Sequence, residues 1–301
     1  MKDSWVRVLN LNMGVEGALP TDLEISQIRA IVNNKVDERG LEEIDSACLN
    51  KIKTNDVYVS KFFIHTFDHP GPQTEAASNM IINTLQWRKE FRAGLITEFE
   101  FPQSMLEKGS LFSHNRDKDG RKLLVFVVGK HIKGAEKMED MKKFFVYQLE
   151  RLNREENGEQ ITLMFDCKGA GLKNMDMEFV QFLIGCMKEY YPDPLNYILV
   201  YEMPWVLNGN LNVRYNHFIE PIAISAAFKM IKAWLPPAAV KKIKFLTTSN
   251  MGEYLTDENR LEEWGGSDSW KYHWESENTE NRVEDNGFEG NIFCTTVLFL
   301  V

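Results

Sequence analysis

Apolar positions recur at helical spacing through the first third of the chain. Leu23, Ile25, Ile28, Ile31 and Val32 mark a helix over residues 21–36, opened by Pro20 and the polar pair Thr21-Asp22. Val59, Phe62, Phe63 and Phe67 mark a second over 56–67, followed by a turn at His69-Pro70-Gly71-Pro72. Ala76, Ala77, Met80, Ile81, Leu85 and Trp87 form the apolar face of a third. The stretch before Thr54 is otherwise weakly patterned. Residues 1–53 therefore read as a partly helical extension, and 54–103 as a helical lobe.

From residue 104 the pattern changes. An unbroken apolar run at 123–128 reads as a buried strand, and 160–165, 197–200 and 243–246 read as three more. Helical patterns separate them at 136–156, 175–191 and 226–235, the last stopped by Pro236-Pro237. Strands alternating with helices predict an α/β unit with a mixed or mostly parallel sheet and flanking helices. Residues 209–225, with one Gly, three Asn and one Pro, stand apart from this order. The acidic, Asn-rich stretch from residue 275 predicts a disordered tail over 275–301.

Composition then narrows the classes. The 301 residues are 44% hydrophobic and 26% charged, enough to bury a sizeable core. A net charge of -9 argues against a general affinity for nucleic acid, though not against a local basic patch. Cys48, Cys167, Cys186 and Cys294 form no C-x-x-C pair, which predicts reduced cytosolic thiols rather than a disulfide framework or a zinc site. No secretory pattern stands at residues 1–10, and the apolar run 292–301 is half the ~20 residues that cross a bilayer. The chain reads as soluble and cytoplasmic.

Candidate chemistry is sparse. Gly169-Ala170-Gly171 follows a strand and precedes a helix, as a dinucleotide fingerprint would, but the third glycine position is Asn174. A plain strand-to-helix turn accounts for it. Asn115–Gly120 resembles the start of a calcium loop, but its twelfth position is Phe126 rather than glutamate, so it reads as a hairpin turn. His65 and His69 are four apart, yet Pro70 biases His69 out of a helix, which favours capping or surface roles over a metal. There is no G-x-S-x-G elbow and no phosphate-binding G-x-x-x-x-G-K-[ST] loop. Nothing calls for an enzyme, a metal or a cofactor.

The segment 226–235 carries more. Phe228, Ile231 and Leu235 share a helical face with Met230 and Trp234 on its flanks, while Lys229 and Lys232 occupy the other side. Lys241, Lys242 and Lys244 follow. Spacing alone fits an amphipathic helix on a core as well as a helix that covers a ligand while its lysines approach anionic headgroups.

The order of motifs across residues 56–274 resembles the CRAL-TRIO family of lipid-binding domains. It is carried by 120–128, Ile161-Thr162-Leu163-Met164-Phe165-Asp166, Tyr190-Tyr191-Pro192-Asp193-Pro194, Met203-Pro204-Trp205, 226–235 and Leu261-Glu262-Glu263-Trp264-Gly265-Gly266. The resemblance implies a cup over 104–274 with a sheet floor, an apolar pocket and a gate helix. It places Phe228, Ile231, Trp234 and Leu235, together with Phe182 and Trp205, at the pocket and gate. Lys229, Lys232, Lys241 and Lys242 are expected to meet headgroups or membrane. The implied ligand is a phospholipid or another hydrophobic small molecule. It would be held, transferred or presented at the endoplasmic reticulum or other intracellular membranes. The alternative is a membrane-contact or lipid-droplet module without transfer. Lys232 matches the gate lysine of phosphoinositide-binding members, but the position of their partner glutamate falls on Phe182, so phosphoinositide specificity is not carried over. Residues 209–225 form an insert where the family has a short link.

Overall fold

The computed structural model describes residues 19–203 and 229–276. Its N-terminal lobe is four helices: α1 (Asp22–Arg39), α2 (Ser46–Thr54), α3 (Asp56–His65) and α4 (Gln73–Phe91). Thr21 and Glu24 close a reciprocal capping box at the start of α1. Asp45 and Asn55 cap α2 and α3 through the amides of Cys48 and Tyr58. All four helices share one core, in which Ile28, Ile52, Phe62, Ile81 and Leu85 are fully buried. The stripe Ile25, Ile28, Val32 and Val36 of α1 belongs to the same core as α3 and α4. Leu23 falls off that stripe and is 67% exposed, and Phe67 is exposed because α3 ends at His65.

The sheet has five strands in sequential order: β1 (Leu111–Arg116), β2 (Lys122–Val127), β3 (Ile161–Asp166), β4 (Leu195–Tyr201) and β5 (Ile243–Leu246). β1 is antiparallel to β2, and the remaining pairs are parallel. The mixed, mostly parallel sheet expected from the alternation of elements is thus present. β1 went unread because Ser113, His114 and Asn115 interrupt its apolar character. The β1–β2 turn is closed by Asp117, whose carboxylate accepts from the amides of Asp119 and Arg121, from the Thr162 hydroxyl and from the Asn196 side chain. Those donors take up the oxygens that a calcium loop would have turned to metal.

Sequential parallel strands with right-handed connections place their helices on one face. α6 (Met138–Glu155) joins β2 to β3, α7 (Met177–Glu189) joins β3 to β4, and α8 (Pro237–Lys242) precedes β5; the short α5 (Gln103–Glu107) leads into β1. That face carries Phe126, Leu163, Phe165, Ile198 and Val200. The alternate residues, among them Leu123, Val125, Met164, Leu199 and Tyr201, meet the C-terminal segment through Met251, Leu255, Leu261 and Trp264. The period of two is thus satisfied by different partners on each side.

The lobe docks through the end of α4. Trp87 stacks on Tyr190 at 4.3 Å, and Arg88 makes a bidentate pair with the buried Glu150 of α6 at 2.7 and 2.9 Å. Tyr191 donates its hydroxyl to the same carboxylate at 2.6 Å. Burial works against the Glu150 charge, but the guanidinium and these hydrogen bonds overcome it and hold the carboxyl below its usual range.

Candidate functional site

Between the helix-bearing face of the sheet and its helices lies a cavity of about 1530 Å³. Its floor is Phe126, Leu163, Phe165, Ile198, Val200 and Ile243, contributed by four neighbouring strands. One wall is the stripe Phe179, Leu183 and Met187 of α7, residues four apart and therefore on one helical face. The opposite wall is Ile231 of the helical stretch 229–234, then Leu235, Pro236 and Pro237 leading into α8. Ile231, Leu235 and Ile243 are half-buried.

Polar groups gather at the two ends. At the C-terminal edge of β2 and β3, Asn174 staples two loops by donating to the carbonyls of Gly129 and His131 at 3.2 and 2.5 Å and accepting from the Gly171 amide at 2.8 Å. His131 is buried there, its Nε2 3.7 Å from Asp176 and its Nδ1 3.9 Å from Glu136. Burial lowers the imidazole below its ordinary value, and the two carboxylates only partly oppose it.

At the other end, His65 reads as a neutral ring from geometry. Its Nδ1 accepts from the Asp193 amide at 2.9 Å, which leaves Nε2 to donate to the Lys188 carbonyl at 2.8 Å. Burial, with a smaller opposing effect from the Lys188 carbonyl and Asp193, lowers its pKa below 6.5. A base whose folded pKa is depressed contributes stability above its unfolded value and loses it as pH falls toward the folded one. The urea midpoint is therefore expected to begin falling as pH drops through about 6.5. His65→Asn should shallow that decline, and an unchanged pH slope in the variant would remove His65 as its source.

The expected site residues separate in the structure. Ile231 and Leu235 line the cavity, whereas Trp234 does not line it. Phe228 and Trp205 lie outside the described residues. Phe182 does not line the cavity: its ring stacks on Phe91 of the lobe at 5.9 Å and lies under Lys142 at 5.6 Å. Its position on α7 turns it toward the lobe and α6, away from the stripe of Phe179 and Leu183. Lys229 is exposed, Lys232 stands on the same helical stretch, and Lys241 is exposed at the rim. Lys242 is no free headgroup ligand, because its ammonium is bound to Asp193 at 3.1 Å and to the Leu195 carbonyl, tying α8 to the start of β4. The floor residues were not singled out in the sequence, although Leu163/Phe165 and Ile198/Val200 sit two apart in their strands, the signal that marks one face.

The glycine turn after β3 holds no phosphate cradle. α7 begins only at Met177, and its N-terminus is already occupied by the carboxylate of Asp176, which accepts from the Phe179 amide. No group of three or more candidate metal ligands exists among the described residues, and no described helix is long and apolar enough to cross a membrane. Cys48, Cys167 and Cys186 are unpaired and buried, and burial pushes each thiol up.

Known proteins with the same pattern agree with this geometry. Residues 106–222 match the model of the CRAL/TRIO domain. A CRAL-TRIO domain-containing protein of Schizosaccharomyces pombe is 28% identical over 222 residues, covering 70% of this chain and 46% of the relative. A phosphatidylinositol transfer protein, CSR1 of Eremothecium gossypii, is 30% identical over 123 residues, covering 40% of this chain and 24% of that protein. The chain thus spans less than half the length of these two relatives. The crystal structure of Sfh5 superposes with a TM-score of 0.59 at 18% identity, covering 85% of this chain and 91% of that one. Family match, relatives and fold converge: this chain carries a CRAL-TRIO domain.

Proposed function

We propose that the protein binds one lipid-like molecule in the cavity and carries or presents it at intracellular membranes, without catalysing a reaction. The observation that supports this most is the cavity, about 1530 Å³ over an apolar floor. That exceeds the roughly 300–1,000 Å³ of ordinary small-molecule pockets and suits a ligand with a long hydrocarbon part. Each methylene removed from water contributes about 0.8 kcal/mol, so a dozen of them gain roughly 10 kcal/mol before ordering costs. The relative named as a phosphatidylinositol transfer protein supports a phospholipid as the ligand class. Phosphoinositide is not favoured, because the position that resemblance assigns to the partner glutamate of phosphoinositide-binding members is Phe182.

Native mass spectrometry of the purified chain should show a bound mass that organic extraction releases as lipid. A protein that stays at its apo mass and moves no lipid between liposomes would sink this reading. The second reading, a membrane or lipid-droplet tether without transfer, draws on the exposed Lys229 and Met230. It is distinguished by membrane binding in the persistent absence of extractable ligand.

A further inference from the structure

Away from the gate, two loops leave the C-terminal edges of β2 and β3 side by side. The Lys133 amide donates to the Lys173 carbonyl at 3.0 Å, and the Asn174 side chain bonds both loops together. They therefore present one continuous, fixed surface. Two aliphatic side chains project from it, Ile132 at 48% exposure and Leu172 at 36%. Lys130, Lys133, Lys168 and Lys173 surround them, all exposed. Lys130 leans over Tyr272 and Lys168 reaches the Glu263 carbonyl, while Lys133 and Lys173 pair with no carboxylate among the described residues. Of the nearby acids, Asp166 holds the Trp264 indole, Asp176 is buried, Glu136 pairs with Lys108, and Glu263 is exposed.

On a chain of net charge -9, such a patch is an exception that calls for an anionic partner. Aliphatic side chains standing among lysines suit an interface that takes up hydrocarbon and negative charge together. We infer that these two loops are a docking surface for an anionic bilayer, with Ile132 and Leu172 inserting and Lys133 and Lys173 meeting headgroups. Gly171, Asn174 and His131 of the same loops also line the cavity, so docking there brings the bilayer next to the bound ligand. The inference builds on the lipid-holding function proposed above but depends on a different surface.

The test is co-sedimentation of the full chain with phosphatidylcholine vesicles, with and without about 30 mol% phosphatidylserine, since a lysine near such a surface contributes about fivefold. Lys133→Gln with Lys173→Gln should weaken binding to the anionic vesicles about 30-fold, and Ile132→Asn with Leu172→Asn should weaken it as well. Lys53→Gln with Lys89→Gln, exposed on the lobe, should leave it within about twofold, and Lys229→Gln with Lys232→Gln measures any share carried by the gate. Thermal unfolding verifies that each variant folds. The inference is overturned if the loop variants bind like the parent, if the gate variants carry the loss, or if the parent does not prefer anionic vesicles. Native mass spectra of the same proteins separate the two ideas. A loop variant that keeps its lipid while losing vesicles upholds the surface, whereas an empty parent that still needs Lys133 and Lys173 upholds it and removes the cavity reading.

Discussion

Arg88→Met is expected to destabilise the protein by about 3–5 kcal/mol, because it leaves a buried carboxylate without its cation. Glu150 is 4% exposed, and Arg88 satisfies both of its oxygens. Once the guanidinium is gone, the Tyr191 hydroxyl still donates to that carboxylate but brings no positive charge. The carboxyl would then take up a proton at higher pH, so the loss should be smaller in acid than at neutrality. Arg88→Met combined with Glu150→Leu should recover at least half of the loss, since a buried ion pair gains little over apolar packing of similar volume. Urea unfolding of the two single variants and the double one measures this. Near-additive losses would show that the pair is uncoupled. The pair joins α4 of the lobe to α6 beside the sheet, so the same experiment reports how strongly the lobe depends on the domain it packs against.

Trp264→Ala should cost a further distinct amount, about 3–5 kcal/mol. The indole is 1% exposed on the face of the sheet opposite the cavity, among Met251, Leu255 and Leu261. Its Nε1 donates to Asp166 at 2.9 Å, at the end of β3. Trp264→Phe keeps most of the packing and removes the donor, so it isolates the hydrogen bond at about 1.5–3 kcal/mol for a charged acceptor. Equal losses in the two variants would assign the whole effect to the hydrogen bond. Because Asp166 also receives the Lys168 amide, loosening it should propagate into the turn before α7.

Much of the fold was legible before the structure. β5 lies where its apolar run is, and β2, β3 and β4 differ from their runs only at the ends. Pro20 and Thr21-Asp22 announced the start of α1, which Thr21 caps. These features are local: a period of two or 3.6 and a capping side chain are written within a few residues of one another. β1 escaped because its polar residues obscure the period, although the hairpin turn that joins it to β2 was read.

The candidate site was legible only in part. The amphipathic pattern of 226–235 fitted a core helix equally well, and the resemblance pointed Ile231 and Leu235 to the pocket; both line the cavity. Of the other residues the resemblance pointed to, Phe182 stacks on Phe91, Trp234 does not line the cavity, and Lys242 lines it while bound to Asp193. Lys242 and Lys241 are adjacent in the chain and alike in chemistry, yet one is bound to Asp193, 49 residues away, and the other is exposed.

Periodicity decides which face of an element turns inward, and it was enough to order the strands and helices of this chain. It cannot say how far a wall stands from the floor it faces. The cavity is bordered by Ile231, Leu235 and the start of α8 on one side and by Ile198, Val200 and Ile243 of the sheet on another. Those segments lie far apart in sequence, and the tie from Lys242 to Asp193 joins α8 to the start of β4. The paired loops bearing Ile132 and Leu172 have the same origin. Each loop alone is a short polar turn, and only the parallel pairing of β2 with β3 makes their lysines and aliphatic side chains one surface.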